Sequence, residues 1–212
     1  QIEKWKSERI QRVRLGAFDV DGILRGKYVS LKKFEGAAKS GLGFCDVIFG
    51  WDSADELYDN VRYTGWHTGY PDAHALIELD TLRRVPWEGN VPFFLMDFYE
   101  ENGSPLSVSP RQVLRRCLQQ AQEMGVKPMM ASEYEFFLFE ETPHSVREKN
   151  YTNMRSLTPG MFGYSALRAS SQSEFIHEYL DHMNAFDVGI EGFHTETGPG
   201  VYEAAIGYGE AL

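Results

Sequence analysis

Alternating hydrophobic and polar positions near the start of the chain predict a β-hairpin. Apolar residues recur at every second position over residues 13–18, and a second strand-like run covers residues 23–29. The Asp-Val-Asp-Gly segment between them, residues 19–22, has a composition typical of a tight turn. A further apolar run predicts a strand over residues 91–99, whereas residues 44–70 follow neither a helical nor a strand period. We therefore expect a long ordered loop over residues 44–70, a kind of segment that is often functional.

Two helices are predicted in the second half of the chain. Residues 109–112, Ser-Pro-Arg-Gln, predict a helix start with a capping box of the S-x-x-Q type. This helix extends to Gly125 with apolar residues at the 3.6-residue period, and because Cys117 lies on that stripe we expect it in the core. A second helix, with apolar residues on one side, is predicted over residues 173–186.

Strands alternate with these helices. Residues 129–139 are apolar and aromatic and short enough for a buried strand, and residues 188–206 predict two strands around a turn at 197–200. Several prolines and glycines make residues 141–170 irregular. A Gly- and Pro-containing turn or linker suggests a domain boundary near residue 105. A β-rich first part followed by mixed β and α elements predicts the α+β class.

The composition then excludes several classes of partner. Lys and Arg total 21 against 31 for Asp and Glu, so the formal net charge of −10 repels phosphate backbones and anionic lipids. No apolar run approaches the roughly 18 residues of a membrane span. We therefore expect no nucleic acid and no membrane as partners. Two cysteines cannot build a disulfide framework, which favours a reducing, cytoplasmic setting. The first residues contain no apolar signal core, and the missing initiator methionine at Gln1 predicts an excised fragment.

Two carboxylates lie in the middle of the apolar strand 129–139. Side chains alternate between the faces of a strand, so Glu133 and Glu135 point the same way, about 7 Å apart at roughly 3.3 Å per residue. Two anions buried side by side require a divalent cation or a pair of arginines to neutralise them. The alternative is a solvated face on an edge strand.

A second acidic group surrounds the turn at residues 197–200. If these residues form a four-residue hairpin loop, Glu203 lies opposite His194, and Glu196 shares their face. Like charges this close need a cation between them, and oxygen-rich sites suit hard ions such as Mg²⁺ or Mn²⁺. Simple alternation leaves Glu191 on the opposite face unless a bulge or another register brings it in. The alternative is an exposed acidic hairpin.

In their order and spacing, residues 132–139 and 191–203 resemble the glutamine synthetase superfamily, specifically its type I-like branch. Supporting segments are residues 19–27, 69–72, 81–87 and 109–111. The resemblance implies a β-grasp-like N-terminal domain over residues 1–105 and the first part of an α+β catalytic domain over residues 106–212. It also implies a ring-forming homo-oligomer whose active sites lie between neighbouring subunits.

The resemblance further implies an ATP-dependent ligase. In that chemistry ATP phosphorylates the γ-carboxylate of glutamate, and ammonia or another amine displaces phosphate, while two divalent ions, Mg²⁺ or Mn²⁺, hold the transferring phosphoryl group. The matching acids of the first metal are Glu135, Glu196 and Glu203. Glu133 matches one ligand of the second metal.

Three further residues take roles by the same resemblance. Glu191 matches the acid near the nucleotide, His194 a histidine beside the metal-binding acids, and Asp52 the acid that binds ammonium from the neighbouring subunit. The chain departs from the family pattern at Val201, where Gln is usual after the glycine. It also stops at Leu212, where family members continue, so we expect no catalysis by this fragment alone.

Two other interpretations use the same residues. Residues 18–22 match the D-x-D-G nucleophile motif of haloacid-dehalogenase-type phosphatases, but they follow an alternating strand that turns back into a hairpin, which favours turn roles for Asp19 and Asp21. A non-enzymatic homologue such as lengsin would share the family pattern, although a scaffold has no reason to keep four converging anions. The sequence leaves the amine open, because polyamine, ethanolamine and methylamine ligases would share these metal ligands.

Overall fold

The computed structural model describes residues 2–212, which form two compact units, residues 2–128 together with Leu212 and residues 129–211. The first unit contains helices α1 (Ile2–Ser7), α2 (Leu31–Ser40) and α3 (Pro110–Glu123) and strands β1 (Arg12–Phe18), β2 (Leu24–Ser30), β3 (Leu42–Cys45), β4 (Asp72–Ile77), β5 (Arg83–Val85) and β6 (Val91–Tyr99). The second contains β7 (Met129–Met130), β8 (Glu133–Phe137), α4 (Pro143–Glu148), α5 (Ala166–Ser170), α6 (Ser173–Ala185), β9 (Ile190–Thr195), β10 (Val201–Ile206) and β11 (Gly209–Glu210). The predicted α+β class is confirmed.

The first unit is built around one mixed sheet. Its strands follow the order β2-β1-β6-β4-β3, and β5 also pairs with β6. β1 runs antiparallel to β2 and parallel to β6, so that β6 joins the hairpin to the rest of the sheet. The predicted strand over residues 91–99 is confirmed residue for residue.

The predicted hairpin at the start of the chain is also confirmed. Asp19 is fully buried at its turn, where its Oδ1 accepts hydrogen bonds from the backbone N–H groups of Asp21 (3.0 Å) and Ile23 (2.8 Å). An acid that caps a tight turn in this way is a structural residue. The chain turns at Asp19 directly into the antiparallel partner strand β2, which supports the turn roles predicted for Asp19 and Asp21 over a phosphatase nucleophile motif.

Helix α2 covers the sheet, although the sequence pattern did not predict this helix. Ser30 begins it by accepting a hydrogen bond from the backbone N–H of Lys33 at 3.1 Å. The apolar residues at helical spacing then point inward, and the Phe34 ring stacks on Phe94 of β6 with centroids 5.0 Å apart. Trp5 of α1 packs against both rings and is 1% exposed. This aromatic layer is the centre of the first unit's core.

Residues 50–71 form the expected long loop, whereas residues 42–45 are strand β3 and residues 46–49 a short 3-10 helix. A β-bridge between Trp51 and Leu57 closes one part of the loop. This bridge spans Asp52, which the loop carries.

Helix α3 begins and ends close to the predicted positions, but the predicted capping box does not form. Ser109 donates its hydroxyl to the buried Asp97 carboxylate (2.8 Å), and the buried Gln112 amide faces the Phe98 carbonyl. The prediction of a buried Cys117 is wrong, because the helix buries its Gln112 side against β6. Cys117 lies one turn beyond Val113, on a flank that stays exposed. The expected domain boundary near residue 105 remains a prediction.

The second unit is built on a three-stranded antiparallel sheet in the order β8-β10-β9. One face carries an aromatic cluster in which Phe136, Phe193 and Tyr202 pack with Tyr179 of α6. The two strands predicted around residues 197–200 are confirmed, and α6 ends one residue before its predicted limit. The irregular segment 141–170 contains the two short helices α4 and α5.

The prediction of a buried strand over residues 129–139 is wrong. The segment breaks at residues 131–132, and β8 pairs with β10 alone among the described strands. As an edge strand it leaves Tyr134 58% and Phe137 61% exposed. Among residues 2–212, no helix combines the length and the apolar character that crossing a membrane requires.

Candidate metal centre

The β9–β10 hairpin places three potential metal ligands on one face. Glu203 lies directly opposite His194, as the turn length predicts, and the Glu196 N–H bonds to the Val201 carbonyl at 2.9 Å. His194, Glu196 and Glu203 each offer a ligand atom within 4.8 Å of the others. His194 Nε2 lies 3.6 Å from Glu203 Oε1, and its Nδ1 lies 4.0 Å from Glu196 Oε1. We call these three residues the hairpin triad.

Glu196 is held in place by the residue that follows it. Thr197 donates both its backbone N–H (2.6 Å) and its hydroxyl (3.0 Å) to Glu196 Oε2. These two bonds hold the pKa of the Glu196 carboxyl below its usual value, and His194 adds to the effect. Oε2 is thus used within the chain, whereas Oε1 faces His194. Oε1 is therefore the Glu196 oxygen that lies on the side of the other triad members.

Tyr164 belongs to the same site and was not identified from the sequence. Its ring stacks on the His194 imidazole with centroids 4.3 Å apart. The nearby charge of Glu196 is the main cause that raises the pKa of the Tyr164 hydroxyl. The Tyr164 N–H donates to the Thr195 carbonyl at 2.7 Å, and the Thr195 hydroxyl bonds to the Phe162 carbonyl at 2.8 Å. These bonds fix an otherwise irregular segment beside the hairpin triad.

The two acids of β8 share the face of the triad but lie outside it. Glu135 pairs across the sheet with Glu203, and Glu133 pairs with Ala205. Because residues two apart on a strand point the same way, both carboxylates belong to the triad's face. Both are exposed, and neither contributes to the described group of atoms within 4.8 Å. Their roles as metal ligands stay predictions.

A bulge occurs at Glu191. Ile190 pairs with Ile206 and Gly192 pairs with Ala205, so Glu191 is an extra residue on β9. A bulge is one of the two devices that could turn this side chain toward the triad's face. The Glu191 side chain is exposed and is not among the triad's ligand atoms. Its predicted place near a nucleotide stays a prediction.

Asp52 lies in the first unit, on the long loop. Its Oδ1 accepts hydrogen bonds from the backbone N–H groups of Ala54 (2.8 Å) and Glu56 (3.0 Å). The carboxylate therefore shapes the loop with one oxygen. Its predicted role in binding ammonium stays a prediction.

The hairpin triad has the chemistry of a site for a hard divalent cation. Two carboxylates and an imidazole converge, and within the described residues neither glutamate forms an ion pair with Lys or Arg. Side chains that are 13–25% exposed remain accessible to an ion and its waters. Oxygen ligands with one imidazole suit Mn²⁺ and Mg²⁺, so the donor set fits the expected metals.

Comparisons with known proteins show the family to which the chain is related. A family model described as "Glutamine synthetase, catalytic domain" matches residues 107–212. "Type-1 glutamine synthetase 2" of Dictyostelium discoideum is 51% identical over 94% of this chain and 38% of its own length. "Glutamate–isopropylamine ligase" of a Pseudomonas species is 37% identical over the whole chain and 46% of its own length. The chain thus spans less than half the length of these curated relatives.

A solved structure shares the fold. The structure described as "Apo GmaS without ligand" superposes with a TM-score of 0.76 at 20% identity, covering 99% of this chain and 45% of that one. At this level of identity the likeness concerns the fold alone.

Proposed function

Because the chain belongs to the glutamine synthetase superfamily, we propose that the full-length protein is an ATP-dependent ligase that joins the γ-carboxylate of glutamate to ammonia or another amine. ATP phosphorylates the carboxylate and the amine then displaces phosphate. The 212 residues comprise a β-grasp-like N-terminal domain, residues 1–105, and the first part of the catalytic domain, residues 106–212. The whole protein acts in the cytoplasm as a ring-forming homo-oligomer with active sites between its subunits.

The hairpin triad carries this proposal. His194, Glu196 and Glu203 gather a nitrogen and carboxylate oxygens within 4.8 Å on one face of a sheet. A bound Mg²⁺ or Mn²⁺ supplies positive charge to the phosphoryl group in transfer. Thr197 keeps the Glu196 carboxylate in its binding orientation, and the Tyr164 ring fixes the plane of the His194 imidazole.

The remaining acids complete the proposed site. Glu135 adds a ligand to the triad's metal, since it lies across from Glu203 on the same face. Glu133 binds a second metal, and Glu191 lies near the nucleotide. Asp52 binds the amine from a neighbouring subunit. The other ligands of the second metal and most contacts to ATP and glutamate belong to the rest of the protein, because this chain spans 38% and 46% of two curated relatives.

The amine is the open part of the proposal. One relative is named for glutamine synthesis and another for isopropylamine, so the family name does not select an acceptor. We therefore treat ammonium, methylamine, ethanolamine and putrescine as equal candidates.

The test is a phosphate-release assay on the full-length protein with ATP, glutamate and Mg²⁺ or Mn²⁺, repeated with each amine. We expect release that depends on one amine, and its loss in Glu196→Gln with the fold retained. Glu178→Gln, an exposed acid of α6, is the matched control and should keep full activity. Full activity in Glu196→Gln would overturn the metal assignment. No release with any amine, from an intact oligomer that binds no metal, would favour the catalytically silent, lengsin-like alternative.

A further inference from the structure

One arginine links the first hairpin to the loop that carries Asp52. Arg25 lies on β2, and its side chain is only 17% exposed. Its Nε donates to Asp19 Oδ2 at 2.7 Å. Asp19 is fully buried and uses its other oxygen to cap the β1–β2 turn. Arg25 is therefore anchored at a rigid point of the sheet.

The two terminal nitrogens of the Arg25 guanidinium bind the loop. One terminal nitrogen of Arg25 donates to Asp55 Oδ1 at 2.6 Å, and the other donates to the backbone carbonyl of Asp52 at 3.3 Å. The guanidinium carbon also lies 4.9 Å from the centre of the Trp51 ring. The planar guanidinium carries N–H donors on three nitrogens and can bond to Asp19, Asp55 and the Asp52 carbonyl at once. The ammonium of lysine has one nitrogen and cannot reach all three acceptors in this geometry.

The contacts of Arg25 hold the part of the loop in which the Asp52 carboxylate lies. Oδ1 of Asp52 is held by two loop N–H groups, those of Ala54 and Glu56, and no hydrogen bond to Oδ2 occurs among the described residues. Arg25 meanwhile pairs with the carboxylates of Asp19 and Asp55, not with that of Asp52. Asp52 thus keeps Oδ2 without a donor among the described residues, and a carboxylate oxygen of this kind is what an ammonium group binds through a charge-assisted hydrogen bond.

We propose that Arg25 is a positioning residue that holds the loop of residues 50–58 in the conformation in which Asp52 accepts the amine. This inference rests on the proposed function, in which Asp52 binds the amine substrate. The Arg25 donors bind Asp19, Asp55 and the Asp52 carbonyl, so Arg25 acts through the loop. Its effect is on the ordering of the loop, and through the loop on the affinity for one substrate alone.

The first experiment measures the loop directly and needs no activity. Hydrogen–deuterium exchange of the full-length protein is compared between wild type, Arg25→Ala, Arg25→Lys and Arg12→Ala, an exposed arginine of the neighbouring strand. We expect the Ala54 and Glu56 amides to exchange about tenfold faster in Arg25→Ala, as for a loss of roughly 1.4 kcal/mol of local stability. Arg25→Lys should lie between, and Arg12→Ala should match wild type. Unchanged exchange at residues 52–57 in Arg25→Ala would overturn the proposal.

The second experiment separates positioning from a general structural role. In Arg25→Lys and Asp55→Asn we expect the KM for the amine to rise by about tenfold and threefold, as a loss of uniform binding does, with kcat at saturating amine and the KM values for ATP and glutamate retained. Equal losses for all three substrates, or an unchanged KM for the amine, would contradict positioning. A wild type without amine-dependent activity would overturn the proposed function and the amine role of Arg25 with it, whereas the ordering of the loop is decided by the exchange experiment.

Discussion

At the scale of single residues, Glu196 depends on Thr197 for its orientation. Thr197→Val removes the hydroxyl that donates to Glu196 Oε2 but keeps the backbone N–H. We expect Mn²⁺ affinity of the full-length protein to fall by about tenfold, because supporting groups of metal ligands typically contribute at least this much. Thr152→Val, whose hydroxyl bonds to a backbone carbonyl elsewhere, is the control. A titration that gives equal Mn²⁺ affinity for both variants would show that Thr197 is dispensable.

Glu141 makes a pH-dependent contribution to stability. Lys149 and Ser145 donate to its carboxylate, as does the backbone N–H of Arg155, and these bonds lower the pKa of Glu141 from 4.5 to about 2. A depressed pKa stabilises the folded state above the unfolded-state pKa, and this contribution is lost as the pH falls. We expect Glu141→Gln to lower the melting temperature at pH 6, with the difference from wild type shrinking between pH 4.5 and 2. A difference that does not depend on pH would exclude this linkage.

The sequence predicted which residues of the hairpin triad lie close together, because all three belong to one hairpin. The opposition of His194 and Glu203 follows from the two-residue period of strands and from the length of the turn between them. Tyr164 reaches the same imidazole from a segment thirty residues away, and hydrogen bonds to Thr195 fix it there. Nothing in the local composition of residues 160–165 signals that contact.

At the scale of elements, the β1–β2 hairpin depends on a close backbone approach. Gly26 faces Gly16 across the hairpin, and a Cβ at Gly26 would lie 2.3 Å from the Leu15 carbonyl oxygen. We expect Gly26→Ala to lower the free energy of unfolding by about 2 kcal/mol, the order found for overpacked sites. Gly36→Ala is the matched control, because nothing lies within 4 Å of a Cβ there and the residue is inside α2.

That control should change stability in the opposite direction. Alanine restricts the unfolded chain and favours a helix, so Gly36→Ala should raise the free energy of unfolding by about 0.5–1 kcal/mol. Urea denaturation of the two variants measures both signs. If Gly26→Ala had the same free energy of unfolding as wild type, the two strands could move apart at this position without loss of stability.

Helix α3 is fastened to the sheet by a buried carboxylate. Asp97 is fully buried and accepts a hydrogen bond from Ser109, while the Nε atoms of Arg115 and Arg111 lie 3.5 and 4.0 Å from its Oδ2. Asp97→Ala leaves Arg111 and Arg115 paired with Glu78 but removes the acceptor of the buried Ser109 hydroxyl, so we expect a loss of about 2 kcal/mol. Asp97→Asn keeps an acceptor for Ser109, and because burial raises the pKa of Asp97 we expect this neutral variant to lose less. Equal losses in urea denaturation would contradict the role of the acceptor.

Helical periodicity located α3 and α6, the two longest helices, but it did not identify the buried side of both. The apolar stripe of α6 predicted the element to within one residue, because a single face of it covers the sheet. For α3 the same reasoning failed at Cys117, since the tertiary partner of Ser109 and Gln112 is β6 and polar groups make the contact. Strand β8 is aromatic enough to be buried, yet its neighbours on the sheet, not its composition, decide its exposure.

At the scale of the whole molecule, we expect the triad to be one part of a larger site. The chain spans less than half of its curated relatives, so we expect the 212-residue chain to bind Mn²⁺ weakly and to release no phosphate with ATP, glutamate and amine. The full-length protein under the same conditions is the positive control. Amine-dependent phosphate release by the 212-residue chain would show that these residues suffice for catalysis.

The fold class and the two β-hairpins could be predicted from the sequence. The pairing of strands that lie far apart in the sequence could not. The hairpins β1–β2 and β9–β10 depend on turns of a few residues, so their signals are local. The parallel pairing of β1 with β6 joins segments far apart in the sequence, and no turn or spacing announces it. The position of β6 between β1 and β4 is a property of the packed sheet.

The pairing of β1 with β6 also delays the completion of the first unit's sheet. Arg14 lies opposite Phe93, so the first strand must wait for a partner made much later. Contacts of such long range slow folding, because the chain loses loop entropy before they form. During synthesis the hairpin β1–β2 can form early, but its sheet stays open until residue 99 has left the ribosome. Until then the apolar side of that hairpin is exposed to other nascent chains and to chaperones.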